Sequence, residues 1–145
     1  MTAVDTNLLI YSHRLESPFH RAAKELIESL RSNSEPWAIP WPCVHEFLSI
    51  VTHPKVYKSP TSLVEAFASV DAWLAGGNVH LLAESDGYFE RLREIAKAAQ
   101  LKGPRIHDAR IAALCLHHGV SELWTADRDF SKFPQLKTRN PLAKK

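Results

Sequence analysis

Four acidic residues occur at points in the sequence where an expected strand gives way to a helix or turn. Asp5 and Asp127 each follow a short apolar segment, whereas Asp108 falls in the first turn of an expected helix and Glu46 lies one turn into another. Carboxylates that converge on one point repel one another, and they are retained together mainly where a cation neutralises them. Oxygen donors alone favour a hard ion. The pattern therefore predicts a Mg²⁺ or Mn²⁺ site.

Each of these acids, taken alone, also has an ordinary structural explanation. An Asp after a strand is often a turn or capping residue, and Asp108 would favour the dipole of a helix that it begins. Glu46 could be solvated, although Val44 and Phe47 beside it make an unpartnered charge costly there. The metal site becomes the better explanation only when the four acids are considered jointly.

Composition indicates one soluble domain that spans residues 1–145, with a basic and weakly patterned tail over about 134–145. The 145 residues are 45% hydrophobic and 23% charged, which is typical of a globular domain. Cys43 and Cys115 are too few and too isolated for a disulfide scaffold or a zinc ribbon. No apolar run is long enough to span a membrane. We therefore expect a cytoplasmic protein.

Short apolar segments alternate with amphipathic stretches along the chain, which predicts an α/β fold with a mostly parallel sheet. In such sheets the reactive crevice lies beyond the carboxyl ends of the strands. The expected strands are Ala3-Val4, Trp37–Pro40, Val79–Leu82 and Glu122–Thr125. The expected helices cover Pro18–Arg31, Pro42–Val51, Ser59–Ala75, Ser85–Leu101 and Ile106–His118, with a further helix or turn from Leu8.

Three sequence motifs that contain these acids, with Glu46 between the first two, resemble the PIN-domain family, in particular the VapC-type toxins of bacterial toxin–antitoxin modules. They are Val4-Asp5-Thr6-Asn7, His107-Asp108-Ala109-Arg110-Ile111-Ala112-Ala113, and Thr125-Ala126-Asp127-Arg128-Asp129-Phe130. The resemblance implies an α/β/α sandwich on a mostly parallel sheet. It also implies metal-dependent endonucleolytic cleavage of RNA.

The resemblance assigns roles to individual residues of this chain. Asp5, Glu46, Asp108 and Asp127 match the acidic cluster that holds Mg²⁺ or Mn²⁺ and carries catalysis. The supporting residues are Thr6 and Asn7 beside the first acid, Thr125 before the last acid, and Asp129 as an additional acid. The implied mechanism is attack on a phosphodiester by a metal-activated water, which leaves a 5′-phosphate.

The same resemblance implies partners. We expect an RNA substrate, a homodimer, and a small cognate antitoxin that blocks the crevice with a basic side chain. The apolar residues Phe47, Leu48 and Phe67 are a candidate surface for the antitoxin. The net charge of +2 permits an anionic partner without requiring one.

Basic residues near the acidic motifs are candidates for contacts with RNA phosphates. They are Arg105, Arg110 and Arg128.

Two other functions remain open at this point. A phosphate-accepting receiver-like or phosphatase-like α/β domain would need a phosphorylated Asp and a nearby Lys, and no Lys follows a strand suitably. A non-catalytic binding module could keep the fold without the chemistry, although retention of all four acids argues against it.

Overall fold

A computed structural model of the protein describes residues 1–143. Each of its strands is short, and a helix follows every strand except the last. The strands are β1 (Thr2–Val4), β2 (Trp37–Pro40), β3 (Val79–Leu82), β4 (Glu122–Trp124) and β5 (Thr138–Arg139). The α-helices are α1 (Thr6–His13), α2 (His20–Ser32), α3 (Trp41–Val51), α4 (Leu63–Leu74), α5 (Tyr88–Ala98) and α6 (Ile106–His117). Two 3₁₀ helices cover Gly103–Arg105 and Arg128–Lys132.

The strands form a single parallel sheet in the order β3-β2-β1-β4-β5. At its centre, Ala3 of β1 pairs with Ala38 of β2 and with Leu123 of β4, and all three side chains are fully buried. Helices cover the sheet to give an α/β/α sandwich, which confirms the predicted fold class. All five strands therefore direct their carboxyl ends to one edge of the sheet.

The helices on the sheet are held by their apolar faces. Helix α1 packs on α2 and α3, and α5 packs on α6. Within residues 1–143, every helix is too short or too polar to cross a membrane.

Two helices, α4 and α5, begin at least three residues later than the sequence predicts. Helix α4 begins at Leu63 rather than near Ser59, because the Ser62 side chain caps it by accepting a hydrogen bond from the Glu65 amide at 3.2 Å. The predicted cap of α5 by Ser85 is wrong. Gly87, with a φ of 89°, precedes that helix, and the Ser85 hydroxyl instead lies 2.7 Å from His117 Nε2.

The C-terminal tail contains a strand that the sequence analysis did not identify. Strand β5 lies in the region expected to be weakly patterned, and it pairs with β4 at the edge of the sheet. Lys144 and Lys145, the last residues of that tail, lie outside the described residues.

The candidate antitoxin surface is only partly exposed. Phe47 is fully buried and packs against Trp73 with ring centroids 4.8 Å apart, so its assignment to a surface was wrong. Leu48 is half-buried, whereas Phe67 is 50% exposed and lies beside exposed Val64 on α4.

Candidate functional site

The four acids predicted from the sequence line a single cavity of about 200 Å³ at the carboxyl edge of the sheet. Within residues 1–143, no lysine, arginine or histidine lines it. Its lining consists of Asp5, Glu46, Asp108, Asp127, Thr6, Asn7, Ile10, Ile50, Ile111 and Phe130. The negative charge inside the cavity is therefore concentrated.

Asp5 is placed at the base of this cavity by the junction between β1 and α1. Its side chain is only 4% exposed, and its Oδ1 caps α1 by accepting a hydrogen bond from the Thr6 amide at 2.8 Å. The Thr125 hydroxyl donates to Oδ2 at 2.7 Å, and the Cys43 thiol lies 3.6 Å from Oδ1. The pKa of Asp5 is raised to about 6, mainly by burial; the nearby Glu46 carboxylate also raises it, whereas these hydrogen bonds lower it.

Glu46 reaches the cavity from α3, the helix that follows β2. The Thr6 hydroxyl donates to Glu46 Oε2 at 2.7 Å, and this bond joins the start of α1 to the middle of α3. Thr6 thus contacts two acids, Asp5 through its backbone amide and Glu46 through its hydroxyl.

Asp127 and Thr125 follow β4, where hydrogen bonds hold the turn. The Thr125 hydroxyl accepts a hydrogen bond from the Asp127 amide at 3.0 Å while it donates to Asp5. Asn7 Oδ1 accepts from the Ala126 amide at 3.3 Å. Through these contacts Thr125 and Asn7 connect the β1 and β4 ends of the site.

Asp108 lies in the first turn of α6, as predicted. Burial raises its pKa, and the carboxylates of Asp127 and Asp129 raise it further, whereas Arg105 lowers it. Arg105 lies 3.6 Å from Asp108 and forms a closer ion pair with Asp129. The Asp129 amide also donates a hydrogen bond to Asp127 Oδ1 at 2.9 Å, which places Asp129 beside the acids of the site. Arg105 balances the charge of the Asp129 side chain.

The three arginines predicted to contact RNA lie in different surroundings. Arg105 is paired with acids of the site, and Arg110 is paired with Glu84 at 3.0 Å. Arg128 is exposed and lines a second cavity beside the acids. Within residues 1–143 it forms no ion pair.

The donors of the cavity suit a hard divalent cation. They are carboxylate oxygens, and the neighbouring charges that raise the pKa values of Asp5 and Asp108 indicate repulsion that a cation would relieve. Within residues 1–143, no three His, Cys, Asp or Glu side chains already stand close enough to enclose a metal ion. A cation would therefore be held by few carboxylates together with waters, which is how Mg²⁺ is usually bound.

Sequence reasoning missed two features of this site. One is the contact of the Cys43 thiol with Asp5. Cys43 precedes Glu46 by three residues on the same helix, and this spacing could have suggested that it also faces the site. The other is the pairing of Arg105 with Asp129. That contact joins two 3₁₀ helices that are separate in the sequence, and no local pattern predicts it.

Comparisons with known proteins identify the family of this chain. The family model described as PIN domain matches residues 2–136. VapC ribonuclease Mb2897 of Mycobacterium bovis is 34% identical over 142 residues, which are 98% of this chain and 96% of the relative.

Solved structures share the fold at lower identity. VapBC2 from Rickettsia felis, bound to a DNA fragment from its promoter, matches with a TM-score of 0.70 and 18% identity, over 95% of this chain and 96% of that one. VapC20 of Mycobacterium tuberculosis, described as a sarcin-ricin loop cleaving toxin, matches with a TM-score of 0.66 and 18% identity, over 90% and 93% of the two chains.

Proposed function

This chain belongs to the PIN domain family and to its VapC group, and we propose that it is a divalent-cation-dependent endoribonuclease, the toxin of a toxin–antitoxin pair. The observation that carries the proposal is the convergence of Asp5, Glu46, Asp108 and Asp127 on one cavity that, within residues 1–143, no basic side chain lines. Arg105 offsets part of the charge from outside the cavity, but the remaining repulsion lowers the stability of the fold, so the cluster is best explained by a function that needs a cation.

Asp5 and Asp108 would be the main ligands of the cation, Mg²⁺ or Mn²⁺. Glu46 and Asp127 would complete the site or order a water molecule. When bound, such a cation supplies positive charge to the phosphate oxygens and lowers the pKa of a water molecule. It would also lower the raised pKa of Asp5, because a nearby positive charge favours the carboxylate.

The residues around the acids fix their orientation. Thr6 holds Glu46, and Thr125 holds Asp5, each through a hydroxyl that donates to a carboxylate oxygen at 2.7 Å. Both hydroxyls are therefore used to orient carboxylates. A water activated by the cation is the expected nucleophile, and the downstream RNA fragment is then expected to carry a 5′-phosphate.

The buried position of Asp5 also argues against the phosphate-accepting alternative. An Asp that accepts a phosphoryl group must be reached by the donor, and Asp5 is only 4% exposed and caps a helix through the same carboxylate. Such a domain also needs a Lys beside the acceptor, and no Lys is among the residues lining the cavity.

The proposed partners are RNA, a cognate antitoxin and a second copy of the chain. VapC20 is described as cleaving the sarcin-ricin loop, and VapBC2 was solved on promoter DNA. For this chain we expect an antitoxin that places a basic side chain among the four acids, where its charge would replace that of the cation. The two buried cysteines are free, in agreement with a reducing cytoplasm.

Incubation of the purified protein with total cellular RNA tests the proposed activity. Discrete fragments with 5′-phosphate ends are expected in Mg²⁺ or Mn²⁺, and EDTA should abolish them. Asp5→Asn and Asp108→Asn should abolish them as well. Asp86→Asn is the matched control, since Asp86 is exposed and lines neither this cavity nor the one beside it.

The result separates the proposal from its alternatives. Cleavage that survives both site substitutions would overturn the assignment of the acids. Absence of both cleavage and cation binding would favour a non-catalytic binding module. Transfer of labelled phosphate to Asp5 would favour the phosphate-accepting domain.

A further inference from the structure

A second cavity, of about 460 Å³, lies beside the acidic site at the carboxyl ends of β4 and β5. Asp127 lines both cavities, so they are neighbours on the same edge of the sheet. We call the second cavity the β4–β5 groove. It is lined by Thr125, Ala126, Asp127, Arg128, Ser131, Thr138, Arg139, Asn140 and Ala143.

The position of the β4–β5 groove follows from the pairing of the two strands. Trp124 of β4 pairs with Arg139 of β5, and the Thr125 amide donates to the Arg139 carbonyl at 2.9 Å. Thr125 in turn donates its hydroxyl to Asp5. One short segment after β4 therefore positions an acid of the site and one wall of the groove.

The charge of the groove is opposite to that of the site. Among the described residues 1–143, Asp127 is the one carboxylate that lines it, whereas Arg128 and Arg139 both line it and are exposed. Within residues 1–143 neither arginine forms an ion pair. The Arg139 guanidinium lies 5.9 Å from the centre of the Trp124 ring, a contact that leaves its donors available to a ligand.

The acidic site cannot attract a polyanion by itself, because its own carboxylates repel phosphate. Arg105 and Arg110 contribute little to attracting RNA, since each already forms an ion pair with a carboxylate of this chain. The groove supplies cationic groups directly beside the site, since Arg128 and Arg139 line it and form no ion pair within residues 1–143. The hydroxyls of Ser131 and Thr138 add neutral donors of the kind that commonly contact phosphate.

We propose that the β4–β5 groove binds the backbone phosphates of single-stranded RNA on one side of the bond that is cut, with Arg128 and Arg139 as the two phosphate contacts. The inference rests on the proposed function, since it assigns a path to the substrate of that site. It assigns no base specificity to the groove, because contacts to phosphates carry none directly.

Salt dependence of RNA binding tests this assignment. A fluorescently labelled single-stranded RNA of mixed sequence is titrated with the full-length chain in EDTA over a series of KCl concentrations. The four acids repel the RNA equally in all variants, so this repulsion does not affect the difference in binding between variants. Affinity falls as the salt concentration rises, and each phosphate contact to single-stranded RNA adds about 0.7 to the steepness of log affinity against log salt. At about 0.1 M salt, the loss of one such contact weakens binding about fivefold.

The substitutions Arg128→Ala and Arg139→Ala are each expected to reduce that slope by about 0.7 and to weaken binding about fivefold. Arg128→Lys and Arg139→Lys should keep the slope, because they keep the charge. Arg93→Ala is the matched control, since Arg93 is a half-exposed arginine on α5 that lines neither cavity. It should bind RNA with the wild-type slope.

Cleavage of RNA in Mg²⁺ at subsaturating concentration is measured on the same variants. The proposal expects the alanine variants to cleave more slowly by the same factor as they bind more weakly. If both alanine variants bind RNA with the same salt slope as the wild type, and the wild type cleaves RNA, the assignment of the groove is wrong and the proposed nuclease activity still stands. A wild-type protein that cleaves no RNA would overturn both.

Discussion

Replacing Asp5 by Asn should stabilise the protein in the absence of metal while it removes the activity. The Asp5 carboxyl is almost fully buried, and its pKa rises from 3.8 to about 6. At about 1.4 kcal/mol for each pKa unit, this rise means that the ionised Asp5 side chain destabilises the native state by about 3 kcal/mol. A neutral side chain of the same shape avoids that cost.

Asparagine can also keep the hydrogen bonds of this position. Its Oδ1 can accept from the Thr6 amide, as the Asp5 carboxylate does at 2.8 Å. Its amide group can donate to the Thr125 hydroxyl oxygen, which has a second lone pair besides the one that accepts from the Asp127 amide. We therefore expect Asp5→Asn to raise the free energy of unfolding by about 1–3 kcal/mol at pH 7.5.

The sign of the pH dependence follows from linkage. Because the native Asp5 keeps its proton to a higher pH than the unfolded chain does, the native state binds more protons between pH 3.8 and about 6. The contribution of Asp5 to stability is therefore most favourable below this window and falls as the pH rises through it. The difference between Asp5→Asn and the wild type should grow by about 2 kcal/mol from pH 4 to pH 7.5.

Urea unfolding of both proteins in EDTA, at a series of pH values, measures this difference. An Asn variant that is less stable than the wild type at pH 7.5 would refute the reasoning. A difference that does not change with pH would refute it equally. Addition of Mn²⁺ should stabilise the wild type and leave the Asn variant nearly unchanged, because a cation stabilises only the protein that binds it.

Three further perturbations test other parts of the account. Thr125→Val removes the buried donor to Asp5 and should lower the free energy of unfolding by about 1–3 kcal/mol in urea, with Thr125→Ser restoring most of the loss. Arg105→Gln removes a positive charge 3.6 Å from Asp108 and should tighten Mn²⁺ binding about fivefold in calorimetric titration; weaker binding would show that Arg105 helps to form the site. Phe47→Ala should cost about 3–5 kcal/mol in thermal or chemical unfolding, since Phe47 is fully buried, and a loss below about 1 kcal/mol would contradict that packing.

The central part of the fold could be predicted because its strands are short apolar segments followed by polar junctions. β2 and β3 lie where the sequence predicts them, and Asp5 follows β1 directly. Strand β5 could not be predicted in this way. Thr138 and Arg139 have no apolar pattern, and they form a strand only because they pair with β4.

The acids of the site could be located from the sequence, but their electrostatic partners could not. A strand end is a local feature, and parallel strands bring their carboxyl ends to one edge, so Asp5 and Asp127 were expected to be neighbours. The pairing of Arg110 with Glu84 joins α6 to the segment after β3, and it depends on tertiary packing. For the same reason Phe47, expected at a surface, is covered by Trp73 of α4.

The rate of cleavage of one RNA as a function of Mn²⁺ concentration tests the central claim most directly. The account predicts a rate that rises from zero in EDTA and saturates with Mn²⁺, for the wild type and for Asp86→Asn alike. Asp108→Asn should show no cleavage at the Mn²⁺ concentration that saturates the wild type. A rate that does not depend on the cation, or an Asp108→Asn variant that cleaves like the wild type, would contradict the account.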